Sequence, residues 1–64
     1  MAEEKWRVQV KNPQGVVFME SLFKSETSAR DYFDSLCLPG NKISLQVRRA
    51  GEARFQEIEG KEDT

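Results

Sequence analysis

The 64-residue chain has no histidine, one cysteine and only two prolines. Without an imidazole there is no Ser-His-Asp or Cys-His nucleophile, and most zinc sites are out of reach. Carboxylate chemistry survives that exclusion, but no convincing pair is present. Asp31 and Asp34 sit three residues apart on what reads as a solvated helix face, and Glu20 stands alone in an apolar run. A catalytic role is therefore not expected, and no cofactor is implied. The single cysteine, Cys37, cannot form an internal disulfide, which suits a reducing compartment. No run approaches the ~20 apolar residues that cross a membrane. The start, Met1-Ala2-Glu3-Glu4-Lys5, has neither the basic opening nor the apolar core of a secretory signal. These absences lead us to expect a soluble cytoplasmic protein. The four glycines, at 15, 40, 51 and 60, fit turns and ends, and none opens a phosphate-binding loop.

What is present is the pattern of one small domain, 1–64, ordered over about 5–59. A 7.4 kDa chain removes roughly 6,500 Å² from water on folding. With about 60% of that apolar, burial contributes on the order of 100 kcal/mol. Ordering the chain costs about as much. The monomer is expected to be marginal, and association with another chain would help it.

Residues 6–11 alternate Trp6, Val8 and Val10 with Arg7, Gln9 and Lys11, the period of a half-buried strand. Asn12-Pro13-Gln14-Gly15 suits a type I turn closed by a left-handed glycine, which places Asn12 opposite Val16. The next strand, 16–23, is apolar on both sides. A strand of that kind is expected to be covered on both sides. Continued without interruption, the register sets Val10 opposite Phe18, Val8 opposite Glu20 and Trp6 opposite Leu22 on the core side. The other side then pairs Lys11 with Val17, Gln9 with Met19, Arg7 with Ser21 and Lys5 with Phe23. Glu20 fits poorly against Val8, and a bulge near it or an edge position would relieve the conflict.

Ser25 reads as a helix N-cap, with Glu26 in the first turn and Arg30 four residues on. Ala29, Tyr32, Phe33, Leu36 and Cys37 form an amphipathic stripe, giving a helix over 26–38 stopped by Pro39-Gly40. Cys37 is expected to be buried as a small hydrophobe. Residues 43–49 alternate again, Gly51 marks a turn, and 54–58 reads as a shorter strand, with 60–64 frayed. In a three-residue loop Val47 would face Phe55 and Arg48 would face Arg54.

The fold is expected to be α+β, a two-layer ββαββ arrangement with a four-stranded, mainly antiparallel sheet and one helix across one face. The order 2-1-3-4 is favoured over 1-2-3-4. The helix-free face is the expected contact surface, built from Val17, Met19, Phe23, Arg7, Gln9 and Lys11 and extended by Gln46, Arg48, Arg54 and Gln56. An apolar centre with a polar rim is the usual form of a protein-contact site. The expected partner is a second copy, or a larger protein to which the chain is a subunit. A nucleic acid or other polyanion on Arg48, Arg49 and Arg54 is the alternative. The net charge of −1 and sequence pI near 5.4 weigh against it.

Overall fold

The apolar side chains of four strands and one helix meet in a single layer between sheet and helix. The computed structural model describes residues 4–62. The elements follow in the order β1 (Lys5–Lys11), β2 (Val17–Phe23), α1 (Glu26–Ser35), β3 (Lys42–Arg48) and β4 (Gln56–Glu62). The sheet order is β2-β1-β3-β4, antiparallel throughout, as expected from the sequence. Trp6, Val8 and Val10 of β1 and Ile43, Leu45 and Val47 of β3 are buried beneath Ala29 and Phe33 of α1. At ~25 cal/mol per Å² of apolar surface, these central side chains dominate the stability of the molecule.

The first hairpin forms as the turn residues dictate. The Asn12 amide donates to Val16 O at 2.9 Å, and the Gly15 amide donates to Asn12 O at 2.9 Å. The Asn12 side chain accepts from the Gln14 and Val16 amides as well. Gly15 has φ +87, the left-handed region a side chain disfavours.

Beyond Lys11–Val17 the register departs from the uninterrupted one. Phe18 is an extra residue, so Val10 faces Met19, Val8 faces Ser21 and Trp6 faces Phe23. From Phe18 onward every β2 side chain lies on the opposite side from that expected. Met19 and Phe23 therefore pack against the core, and Phe23 meets Tyr32 of α1 with ring centroids 5.3 Å apart. Phe18 and Leu22 are exposed instead. The physical reason lies at Glu20. The bulge sets it opposite Gln9 on the wet side rather than against Val8.

Five other expectations are corrected. The strand buried on both sides is β3, not β2: Ser44 and Gln46 are buried as well as Ile43, Leu45 and Val47, while β2 is an edge strand. The helix ends at Ser35, with the Leu36 amide donating to Tyr32 O from an extended backbone. The following residues alternate, so Leu36 and Leu38 pack on the core and Cys37 is exposed, not buried. β4 starts later and runs further, to Glu62, so the frayed end expected from residue 60 is strand there. Residues 63 and 64 lie outside the described residues. So does most of the loose start expected over 1–4. A bulge at Ile58 sets Val47 opposite Gln56, and Arg48 and Arg54 are not cross-strand partners.

Candidate interaction surface on the helix-free sheet face

Strand alternation sends Lys5, Arg7, Gln9 and Lys11 of β1, and Lys42, Ser44, Gln46 and Arg48 of β3, to the side away from the helix. Arg7 lies opposite Gln46 on one neighbour and Leu22 on the other, and Gln9 lies opposite Ser44 and Glu20. Their side chains close a ring. Arg7 Nε donates to Gln46 Oε1 at 2.7 Å, Gln46 Nε2 to Gln9 Oε1 at 2.9 Å, and Gln9 Nε2 to Glu20 Oε2 at 3.0 Å. Glu20 Oε2 returns to Arg7 Nη1 at 4.0 Å. Each amide both gives and receives, so Gln46 is buried on this face without an unpaired polar atom.

Phe55, in the connection before β4, lies over the same face. The Arg7 guanidinium is 4.1 Å from its ring centroid and that of Arg48 is 5.6 Å away. Arg7 is thus held by a hydrogen bond, a ring and a nearby carboxylate. Toward the β2 margin the surface turns apolar, with Val17, Phe18 and Leu22 all exposed.

The charge on the two sides of the sheet differs. The helix-free side carries Lys5, Arg7, Lys11, Lys42 and Arg48 against Glu20, Glu57 and Glu62, five cations to three carboxylates, or +2. The whole chain is −1. Two like-charge cross-strand pairs, Lys5–Arg48 and Lys11–Lys42, lie on this face. On the helix side, Arg30 bonds Glu26 at 2.7 Å and Glu59 at 3.3 Å. These bonds, Glu26 first, push the Arg30 pKa up. Lys61 sits 4.9 Å from the Phe33 ring centroid.

The residues expected at the contact surface are thus divided. Arg7, Gln9, Lys11 and Val17 are on the helix-free side. Met19 and Phe23 are not, and Phe18 and Leu22 take their place. Of the cations expected to bind anions, Arg48 is on the face beside Phe55. Arg49 pairs with Glu4 at 3.6 Å, and Arg54 is exposed in the connection from 49 to 55. Glu52 organises that connection by accepting from the Arg49 amide and from Gln56 Nε2. Sequence reasoning missed Phe18, Leu22 and Phe55. A signal for the first two existed, because reading Glu20 as a marker of the wet side turns Phe18 and Leu22 outward with it.

Open grooves of about 370 and 440 Å³ at the Lys11 end of the sheet are lined by charged and loop residues, among them Lys42, Glu62 and Gly15, but not by Glu20 or Cys37. Among the described residues, no three acidic or cysteine side chains are grouped to hold a metal ion. No helix among them is long and apolar enough to cross a membrane. Compared with protein-family models, with curated proteins and with solved structures, the chain matches none.

Proposed function

We propose that this protein is a non-catalytic interaction module that self-associates through the β2 side of its helix-free face. One observation carries the reading. Val17, Phe18 and Leu22 are exposed together along one margin of a sheet face whose polar centre is already internally bonded. The polar centre is served by its own hydrogen bonds and by water, while the apolar margin gains by being covered. The lack of histidine supports a non-catalytic role, and the single cysteine suits the cytoplasm. Light scattering across a concentration series tests the reading. The expected result is a mass rising above one chain's 7.4 kDa, and a constant one-chain mass would overturn it.

A second reading has a specific observation behind it. The +2 charge of this face, with Arg7 and Arg48 flanking Phe55 and with Phe18 exposed, suits a single-stranded nucleic acid or another polyanion. Filter binding at several salt concentrations tests it. This reading expects affinity that falls with salt, and the absence of salt-sensitive retention would sink it.

A further inference from the structure

We propose that two copies of the chain pair along their β2 edges, about a two-fold axis at Glu20, to form one eight-stranded antiparallel sheet. The inference rests on the self-association reading and specifies its geometry.

The two free edges of the sheet are built differently. β4 carries Glu57, Glu59, Lys61 and Glu62, a glycine at 60 and a bulge in its pairing with β3. Charge and bulging are how sheets keep an edge from pairing. Between Val17 and Phe23, β2 has one charge, Glu20, and no proline, lysine or glycine. Its bulge is confined to Phe18, and Met19 to Phe23 pair regularly with β1. A long apolar edge of that kind is a template for another strand.

The register follows from self-complementarity. Residues directly opposite in an antiparallel pair share a side of the sheet. An axis at Glu20 sets Phe18 against the second copy's Leu22, and Leu22 against its Phe18, on the helix-free side. It sets Met19 against Ser21 on the helix side, and the regular pairing ends at the Phe18 bulge. An axis at Met19 would set Phe18 against Glu20 twice, and an axis at Ser21 would set Leu22 against Glu20 twice. Both leave apolar side chains on carboxylates. The axis at Glu20 has one cost, two carboxylates facing each other. Arg7 Nη1 at 4.0 Å and Gln9 Nε2 at 3.0 Å stand beside each of them. Stacking the two helix-free faces about a two-fold axis would instead bring the cations of β1 and β3 against each other. Edge pairing leaves both faces pointing the same way, with two Arg7–Phe55 sites on one surface.

A thiol at the axis tests the arrangement. In the Cys37→Ser background, Glu20→Cys places two sulfurs across the proposed axis. Opposed strand residues have Cα atoms about 4.5–5.5 Å apart, within the range a disulfide bridges. Stacked sheets hold them about 10 Å apart, beyond it. Under mild oxidation at micromolar concentration, Glu20→Cys is expected to give a cross-linked dimer, while Lys42→Cys on the face and Glu57→Cys on the other edge stay monomeric. Circular dichroism confirms that each variant is folded. Glu20→Gln, which removes the facing charges, is expected to tighten association several-fold. If the wild type associates but Glu20→Cys links no faster than the controls, or Glu20→Gln weakens association, the β2 axis is wrong while self-association stands. A wild type that remains one chain at every concentration overturns both.

Discussion

Gly15 is held at φ +87 with open space where a side chain would go. Its value is thus conformational rather than steric. Gly15→Ala is expected to cost about 1–2 kcal/mol, the penalty of a left-handed backbone, and to lower Tm by roughly 4–16 °C in a thermal melt. Leu45 is fully buried between sheet and helix. Leu45→Ala is expected to cost about 2–5 kcal/mol, enough to unfold much of so small a domain at room temperature, as urea titration would show. Arg30 adds no pH dependence near neutrality. Its pKa is raised by Glu26 and Glu59, so its contribution is complete at neutral pH and is lost only as pH rises through a strongly alkaline value. At this scale the sequence was informative where local chemistry decides. Asn12, Pro13 and Gly15 specify their turn, and Trp6, Val8, Val10, Ile43 and Val47 announce their own burial by alternation. It was uninformative at Cys37, whose exposure follows from a chain path set by Leu36 and Leu38 settling on the core.

Among the elements, α1 depends on its cap. The Ser28 amide donates to Ser25 Oγ, and Glu26 places a carboxylate in the first turn. Ser25→Ala is expected to cost about 1 kcal/mol, measured by the shift of the urea midpoint with an unchanged slope. Element types, their order and the sheet order were legible because the hydrophobic period switches cleanly between 2 and 3.6. Two things were not legible, and both come from single inserted residues. The extra residue at Phe18 reverses the sides of β2, and the one at Ile58, with the longer connection from 49 to 55, carries β4 on to Glu62. A bulge has no composition signature of its own. It forms because the alternative buries Glu20 against Val8, a comparison between strands rather than a property of one. Of the residues expected on the helix-free face, Arg7, Gln9, Lys11 and Val17 lie there, and Phe18 and Leu22 lie there in place of Met19 and Phe23.

In the whole molecule, a plate-like sheet is covered by a helix on one side and open on the other, with +2 on the open side of a chain whose net charge is −1. The helix shelters β1, β3 and part of β2; Val16, Val17, Phe18 and Leu22 stay exposed at the β2 margin, and Ile58 on β4. The measurement that bears most directly on this account compares the wild type with the Phe18→Ser/Leu22→Ser double variant by sedimentation equilibrium, alongside a thermal melt. Phe18 is 52% and Leu22 62% exposed in the isolated chain, so their loss should change monomer stability by only about 0.5–1 kcal/mol each. The wild type is expected to associate at micromolar to millimolar concentration, and the variant to remain one chain of unchanged fold. A wild type that never exceeds one chain's mass, or a variant that associates as well as the wild type, would contradict the account.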